Sequence, residues 1–178
     1  MNELIDEGLV RFIGCSNFGA EQVDEAAGVA EANGWAGFVS LQNEYSLLNR
    51  ELEAEVVPAC ERHGLGVLPY FPLARGLLTG KYRRGQAGPA GARLSGRDEV
   101  ADARTFDVLE ALERYAEERG VSLLEVAIGG LAAQPAVASV IAGARRPDQI
   151  AGNARAAGWV PSEDDLRALD QITRPNPA

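Results

Sequence analysis

Three short apolar runs recur along the first half of the chain at nearly constant spacing. They begin near residues 11, 38 and 66, so successive starts lie 27 and 28 residues apart. That interval is close to the roughly 30 residues of a βαβ unit, and each gap has the apolar periodicity of a helix. The spacing therefore predicts a parallel sheet whose strands are joined by helices, because parallel strands require long crossover connections.

The second half of the chain continues this pattern less regularly. A fourth strand is predicted over residues 138–141, where Ala, Ser, Val and Ile follow one another. Predicted helices cover residues 20–33, 49–63, 105–119, 122–133 and 162–172, and another begins at 147. Pro58 is expected to kink or break the second of these helices. A Gly-rich, basic segment near 83–104 lacks periodicity, which predicts a mobile loop.

Two architectures fit strands and helices in this order: a small open sheet, or half of a (β/α)8 barrel. A complete barrel needs about 250 residues, whereas this chain has 178. The chain is thus too short for a complete barrel, and its four predicted strands correspond to roughly half of one. Because 46% of its residues are hydrophobic, it can bury a sizeable core, and we expect one domain.

Charge and cysteine content exclude several classes of function. The net charge of −9 argues against a nucleic-acid-binding or membrane-binding surface. Two cysteines make no disulfide framework, which indicates a reducing compartment. No apolar run is long enough to span a membrane, and no signal-peptide pattern follows Met1, so we expect a cytoplasmic protein.

The strongest candidate site lies in the segment LGVLPYFPLARGLLTGKY, residues 65–82. Its apolar start predicts a strand buried on both faces, and an aromatic ring (Tyr70), a cation (Arg75) and a hydroxyl (Thr79) follow that strand. Parallel α/β folds build their sites at the carboxyl ends of strands, so we expect a ligand here. Tyr70 is suited to stack on an aromatic ligand, and a core or rim tyrosine is an equally good interpretation.

Pairs of polar residues also follow the other two early strands. Ser16 and Asn17 come after the first strand, and Gln42 and Asn43 after the second. Hydroxyl and amide groups at neighbouring strand ends can hydrogen-bond a carboxamide, which offers both a donor and an acceptor. The alternative is that Ser16 and Asn17 only cap the following helix. The recurrence of polar pairs at successive strand ends favours a ligand site.

A candidate anion site follows the fourth predicted strand. The segment GARRP places Arg145 and Arg146 directly before a helix that begins at Pro147. Backbone N–H groups and the helix dipole favour an anion there, and adjacent arginines suit a phosphate. A solvated basic turn is the alternative interpretation.

The chain offers little for metal or nucleophilic chemistry. His63 is the only histidine, and its position just before Gly64 indicates a group that caps the end of a helix. We therefore expect neither a Ser–His–Asp triad nor a histidine-based metal site. Cys15 in a strand and Cys60 on a buried helical stripe are interpreted as inert core residues. We assign no catalytic residue and no metal ligand.

Three segments of the chain resemble the aldo-keto reductase family. They are VRFIGCSNFGAEQVDEA, FVSLQNEYSLLNRELEAEVVPACERHGLGVLPYFPLARGLLTGKY and VIAGARRPDQIAGN, and the similarity runs in the family's order from near Val10 to Ile172. The chain resembles the C-terminal half of the family's (β/α)8 barrel. Within the family it is similar to a branch of bacterial reductases that also resemble potassium-channel β subunits. The resemblance implies a half-barrel with about the last four β/α units.

The resemblance also implies that the candidate residues bind a nicotinamide cofactor. Those matching the family's carboxamide ligands are Ser16, Asn17 and Gln42, and Tyr70 matches the aromatic residue that stacks on the nicotinamide ring. Those matching the pyrophosphate loop are Pro72, Leu73, Arg75 and Gly76, with Lys81 beside them. Those matching the adenosine end are Gly143, Arg145 and Arg146 at the 2′-phosphate, and Gln149 and Asn153 at the adenine. Two arginines at the 2′-phosphate favour NADP(H) over NAD(H).

The resemblance leaves the family reaction incomplete. The family's catalytic Asp, Tyr, Lys and His lie on its first four strands, and this chain has no counterpart for them. Ala142 stands where many relatives have proline, and Gly152 where many have glutamate. We expect the cofactor-binding half of an NADP(H)-dependent reductase of small carbonyl compounds, in a chain that is truncated, mis-started at Met1, or completed by another polypeptide. The alternatives are a non-catalytic nucleotide-binding half-barrel that dimerises to close the barrel, and a decayed gene fragment.

Overall fold

A parallel sheet of three strands forms the centre of the structure, a computed structural model that describes residues 1–97 and 100–174. The strands are β1 (Ile13–Ser16), β2 (Phe38–Gln42) and β3 (Gly66–Val67), in the spatial order β1-β2-β3. β2 pairs in parallel with both neighbours, so that Cys15, Leu41 and Val67 lie side by side. The predicted α/β class with parallel strands is confirmed.

The helices begin and end at local sequence signals. They are α1 (Asn2–Asp6), α2 (Ala20–Asn33), α3 (Val56–His63), α4 (Ala103–Arg119), α5 (Leu123–Ala132), α6 (Pro147–Ala156) and α7 (Glu163–Thr173). Gly34, Gly64 and Gly120 end α2, α3 and α4 in the left-handed conformation, with φ of 64°, 68° and 67°. Ser122 and Glu125 form the predicted capping box at the start of α5. Within the described ranges no helix has the length and apolar character of a membrane span.

The helix predicted over 49–63 is in fact two elements. A 3-10 turn covers Glu51–Glu53, and α3 begins only at Val56. Pro58 is therefore the third residue of α3, in the first turn, where a backbone N–H has no intrahelical partner to lose. The prediction that Pro58 breaks the helix was wrong, because the helix starts later than the apolar pattern indicated.

The strand predicted over residues 138–141 is not a regular strand. The segment runs beside β3 and forms only two isolated parallel bridges, between Val67 and Val137 and between Tyr70 and Ile141. The N–H of Ala138 donates to the carbonyl of Val67 at 2.9 Å, and the N–H of Ile141 to the carbonyl of Pro69 at 2.9 Å. Pro69 has no N–H to return a bond, so the ladder is interrupted at this point.

The apolar core lies between the sheet and the helices in two clusters. One cluster joins the sheet to α2, α3 and the end of α5, and includes Val23, Leu41, Cys60, Val67 and Leu131. The other joins α4, α5 and α7, and includes Leu78, Leu109, Leu112, Val126 and Leu169. Side chains alternate along a strand, so residues next to the buried ones face the other way. On that opposite side of the sheet Gly14, Ser16 and Gln42 are exposed.

The segment near 83–104, predicted to be a mobile loop, includes Asp98 and Glu99, which lie outside the described residues. Before them, Leu94 is buried and its N–H donates to the Tyr82 hydroxyl oxygen at 3.2 Å. The guanidinium of Arg84 pairs with two carboxylates of α4, Asp107 at 2.6 Å and Glu110 at 2.9 Å. The mobility of the segment stays a prediction.

The segment beside β3 approaches the strand so closely that only glycine fits at Gly66. A Cβ atom at Gly66 would lie 2.7 Å from the Cβ of Ala138. We expect Gly66→Ala to lower the free energy of unfolding by about 1–3 kcal/mol, because this overlap forces the two backbones apart. Urea unfolding followed by far-UV circular dichroism measures the change.

Gly28→Ala is the matched control, since Gly28 lies within α2 and a Cβ atom there would meet nothing within 4 Å. This substitution should stabilise the chain by about 0.5–1 kcal/mol through helix propensity. Equal effects of the two substitutions would contradict the close approach of residue 138 to β3.

Candidate functional site

The carboxyl ends of β1 and β2 meet at one edge of the sheet and are joined there by hydrogen bonds. The Ser16 hydroxyl donates to the backbone carbonyl of Gln42 at 2.7 Å. The backbone N–H of Asn17 donates to the same carbonyl at 3.1 Å. Gln42 thus contributes its backbone to this contact, while its side chain is exposed. Three of the residues predicted from the sequence therefore lie together.

Tyr70 joins this group from the neighbouring strand end. Its hydroxyl donates to the Oδ1 atom of Asn17 at 2.8 Å. Both backbone polar groups of Tyr70 are hydrogen-bonded. Its N–H donates to the carbonyl of Asn43 at 3.0 Å, and its carbonyl accepts from the N–H of Tyr45 at 3.2 Å. The Asn43 side-chain Nδ2 donates to the carbonyl of Phe18 at 3.0 Å, which holds the loop after β1. These hydrogen bonds hold the strand ends and the loop after β1 in one arrangement.

The loop that follows Tyr70 has an unusual concentration of left-handed backbone. Phe71, Ala74 and Arg75 have φ of 54°, 45° and 58°, and Gly76 has φ of 99°. Side-chain-bearing residues adopt this conformation only when the surrounding structure imposes it, and such residues concentrate at binding and catalytic sites. A Cβ atom at Gly76 would also lie 3.0 Å from the Nζ of Lys81. This turn brings the predicted residues Arg75, Gly76 and Lys81 together.

The other two predicted residues of this loop belong to its apolar support. Pro72 is buried, and Leu73 packs against the helical core cluster. The carbonyl of Leu73 accepts from the N–H of Gly76 at 2.7 Å, which closes the turn. These two residues thus anchor the loop, while Arg75 is exposed.

Two arginines share one aromatic ring in this loop. The guanidinium carbon of Arg75 lies 5.7 Å from the centre of the Phe71 ring, and that of Arg93 lies 5.2 Å from it. Lys81 lies 5.3 Å from the ring of Tyr82. None of these three cations has a carboxylate partner among residues 1–97 and 100–174. Their charges are therefore directed at solvent, where they attract an anion.

The sequence analysis missed Phe71 and Arg93 as members of this group. Arg93 lies in a basic segment without periodicity, so the local sequence does not indicate which residue its side chain contacts. The one sequence signal for a cation–π contact is that Phe71 follows Tyr70 directly and precedes Arg75 by four residues.

The second predicted group surrounds the start of α6. Ile141 lies beside Tyr70 through an isolated bridge, and the chain continues from there to Gly143. The N–H of Arg145 donates to the Oε1 atom of Gln149 at 2.8 Å, and Asn153 is half-buried one turn further along the helix. The segment that carries the predicted residues of this group therefore begins next to Tyr70.

Only one of the two arginines before α6 is paired. Arg146 contacts the Asp148 carboxylate through Nε at 3.1 Å and through a terminal nitrogen at 3.0 Å. This contact lowers the pKa of Asp148 and raises that of Arg146. Arg145 is exposed and has no ion pair within the described ranges, so it is the unpaired cation next to the N-cap residue of α6, Arg146.

Among the described residues, the remaining titratable groups form no arrangement typical of a catalytic site. The Nε2 atom of His63 lies 2.7 Å from the Asp24 carboxylate of α2, so the prediction that His63 caps its own helix was wrong. Burial raises the pKa of Cys15, and raises that of Cys60 to about 11, so both thiols stay protonated at neutral pH. No group of three potential metal ligands occurs within the described ranges.

A partly buried ion-pair network supports the Tyr70 edge from behind. The Arg50 side chain, 9% exposed, lies 2.6 Å from Glu53 and 2.5 Å from Asp170 of α7. Glu53 also accepts from the Tyr45 hydroxyl at 2.6 Å. Burial and Glu53 raise the pKa of Tyr45, so it remains a neutral donor. Although burial opposes ionisation, Glu53 and Asp170 hold the pKa of Arg50 above its usual value. The network thus ties Tyr45, and through it the Tyr70 backbone, to α7.

We expect Arg50→Met to lower the free energy of unfolding by about 2–3 kcal/mol. Removing one partner of a fully buried pair costs roughly 3–5 kcal/mol, and the two carboxylates left here are partly hydrated, at 29% and 32% exposure. Urea unfolding measures the loss. Arg167→Met is the matched control on α7, since its ion pairs lie on the surface, and it should change stability by less than about 0.5 kcal/mol. Similar effects of both substitutions would contradict a supporting role for Arg50.

The arrangement suits an elongated anionic ligand. The strand edge at Ser16 and Asn17 offers a hydrogen-bonding pair, Tyr70 an aromatic ring, and the loop cations a site for phosphate. The cation at Arg145 lies before a helix N-terminus, where a second anionic group is favoured.

Comparison with known proteins gives one consistent result. A sequence model of the Aldo/keto reductase family matches residues 1–174. A probable voltage-gated potassium channel subunit beta of Oryza sativa subsp. japonica is 38% identical over 170 residues, which cover 90% of this chain and 51% of the relative. An aldo-keto reductase of Fusarium vanettenii is 32% identical over 182 residues, which cover 99% of this chain and 48% of the relative.

An enzyme of defined activity also occurs among the similar proteins. The versiconal hemiacetal acetate reductase of Aspergillus parasiticus is 30% identical over 141 residues, which cover 76% of this chain and 40% of that protein. The chain spans about half the length, or less, of these curated relatives.

Proposed function

Because this chain belongs to the aldo/keto reductase family, as the resemblance predicted, we propose that it is the cofactor-binding half of an NADP(H)-dependent reductase of small aldehydes and ketones. The reductase names of similar proteins support an oxidoreductase activity. The observation that carries the proposal is the contact of Tyr70 with Asn17 at the strand edge that also holds Ser16. The family's fold is a (β/α)8 barrel, and in this proposal the chain forms its last four β/α units.

The proposed position of the nicotinamide ring is against Tyr70. A tyrosine ring provides a flat apolar surface for stacking, and its half-buried setting keeps water from one face of the ligand. Ser16, Asn17 and Gln42 then lie where a carboxamide on that ring needs donors and acceptors. These residues would bind and orient the ring without taking part in proton transfer.

The phosphates in this proposal are bound by the loop after Tyr70 and by the start of α6. The charges of Arg75, Arg93 and Lys81 are not neutralised by carboxylates in the described ranges, so they attract the pyrophosphate. Arg145 carries the preference for NADP(H), because its unpaired guanidinium favours a ligand with an additional 2′-phosphate. Gln149 and Asn153 would lie near the adenine.

The chain's own contribution to the reaction is limited to binding. When bound, the cofactor supplies a hydride for reduction of a carbonyl group. In the family an Asp, Tyr, Lys and His complete the reaction, and this chain has no residues that match them. We therefore propose that the chain alone does not reduce carbonyl compounds, and that activity requires a second polypeptide or an additional segment. Two free thiols, Cys15 and Cys60, support a cytoplasmic location.

A second candidate function is a non-catalytic nucleotide-binding half-barrel that pairs with another copy of itself. The observation that favours it is the edge of the sheet at β1, where within the described ranges no strand pairs with the outer side of β1. Large apolar side chains are exposed just before β1, at Leu9 (70%) and Phe12 (69%). An uncovered parallel edge with apolar neighbours is prone to association.

Sedimentation velocity at micromolar concentration separates the two candidates. Pairing predicts a dimer that the substitution Phe12→Glu converts to a monomer, whereas Val160→Glu, at an exposed apolar residue away from β1, should have no effect. A soluble monomer of the unaltered chain would contradict barrel closure by a second copy.

The proposed cofactor site is tested by titrating the 178-residue chain with NADPH and with NADH. Quenching of tryptophan and tyrosine fluorescence gives the two dissociation constants. We expect NADPH to bind more tightly, and Arg145→Gln to weaken NADPH binding by about 10-fold without changing NADH binding, because only NADPH has the 2′-phosphate.

Arg155→Gln is the control, since Arg155 also lies on α6 but at its C-terminal end. It should leave both dissociation constants unchanged. Equal affinity for the two nucleotides would contradict the NADP(H) preference. Reduction of a reactive aldehyde by this chain alone would contradict the assignment of the proton-donating residues to another segment.

A further inference from the structure

The contact between Tyr70 and Asn17 gives the tyrosine a role beyond stacking. Tyr70 is half-buried, and its hydroxyl donates to the Oδ1 atom of Asn17 at 2.8 Å across 53 positions of sequence. We propose that the Tyr70 hydroxyl is a positioning group, which fixes the Asn17 amide so that Nδ2 is presented to the carbonyl oxygen of a bound carboxamide. This inference rests on the proposed function, since the carboxamide is that of the nicotinamide ring.

The direction of the hydrogen bond determines which Asn17 atom remains for a ligand. A primary amide has an acceptor oxygen and a donor nitrogen, and rotation by a half turn exchanges them. A phenolic hydroxyl is a better donor than acceptor, because its lone pair is delocalised into the ring. Oδ1 therefore turns toward Tyr70, and Nδ2 is left to donate. Without the hydroxyl, both orientations of the amide would be populated.

Ser16 has the opposite polarity. Its hydroxyl hydrogen is used in the bond to the Gln42 carbonyl at 2.7 Å, so its oxygen has only lone pairs to offer. Ser16 and Asn17 are adjacent in sequence and both are exposed. One therefore accepts and the other donates, which matches the NH2 and C=O groups of a primary carboxamide.

The backbone around Asn17 is held by its own hydrogen bonds, which leaves the side-chain amide as the part that can still rotate. Asn17 has a φ of 58°, a left-handed conformation that asparagine tolerates better than most residues. Its N–H is bonded to the Gln42 carbonyl at 3.1 Å, and the carbonyl of the next residue, Phe18, accepts from Asn43 at 3.0 Å. Rotation of the side-chain amide is the main freedom that remains. The Tyr70 hydroxyl removes it, and binding then costs less entropy.

The experiment measures dissociation constants for NADPH and for its 3-acetylpyridine analogue, in which a methyl group replaces the carboxamide NH2. If Asn17 donates to the carbonyl, Asn17→Gly should weaken both ligands by the same factor, about 3- to 10-fold. Glycine is chosen because it adopts the left-handed backbone without strain. Ser16→Ala should weaken NADPH by a similar factor and leave the analogue unaffected, because the partner of Ser16 is absent from it.

The role of Tyr70 is tested by Tyr70→Phe, which keeps the stacking ring. We expect weaker NADPH binding, by about 3-fold, and a smaller effect of Asn17→Gly in the Tyr70→Phe background than in the unaltered chain. Tyr115→Phe is the matched control, because the Tyr115 hydroxyl bonds Asp165 between α4 and α7. It should leave NADPH binding unchanged. Additive effects of Tyr70→Phe and Asn17→Gly would overturn the proposal.

A measurement on the ligand-free chain separates failure of this inference from failure of the proposed function. The side-chain amide resonances of Asn17, followed by 15N NMR, should shift and exchange faster with water in Tyr70→Phe than in the unaltered chain. Unchanged resonances would overturn the positioning role whether or not the nucleotide binds. If the resonances change but no variant binds NADPH, the proposed function fails, and with it the presentation of Nδ2 to a carboxamide.

Discussion

The backbone of residues 65–70 is hydrogen-bonded to segments on both sides, and the position of every candidate ligand contact depends on it. On one side Leu68 and Tyr70 donate to the carbonyls of Leu41 and Asn43, at 2.8 and 3.0 Å. On the other side the segment after residue 136 donates to the carbonyls of Val67 and Pro69, both at 2.9 Å. Because parallel register determines which residues are neighbours at a strand end, these bonds bring the groups after β1 and β2 and the start of the α6 loop to Tyr70.

The arginines of the chain fall into two groups: those paired with carboxylates, and those whose charge is not neutralised and remains available to a ligand. The chain has a net charge of −9, and several of its arginines form ion pairs with carboxylates. Arg50 is held between Glu53 and Asp170, and Arg84 between Asp107 and Glu110. These pairs join loops to helices without giving the surface a positive potential. Arg75 and Arg93 contact the Phe71 ring instead, so their charges are not neutralised by carboxylates of the described residues.

Strain and support occur together at this edge. Phe71, Ala74 and Arg75 have positive φ, and each costs conformational energy that surrounding contacts must offset, whereas Gly76 adopts its positive φ without such a cost. The offset comes from apolar burial of Pro72 and Leu78 and from the Arg50 network, which reaches Tyr70 through Tyr45. A ligand that meets such a preformed edge binds without ordering it first.

The sequence by itself determined the parallel α/β class, the helices with local start and stop signals, and the polar residues that follow each strand. Those features depend on residues close in sequence: periodicity, capping side chains, and glycines such as Gly34 and Gly64 that adopt the left-handed conformation. The tertiary structure alone decided the interrupted pairing after Pro69, the late start of α3, and the partners of His63, Phe71 and Arg93. It also decided that Tyr70 bonds Asn17. Each of these depends on groups far apart in sequence, whose distance is set by strand register and side-chain packing and leaves no local signal.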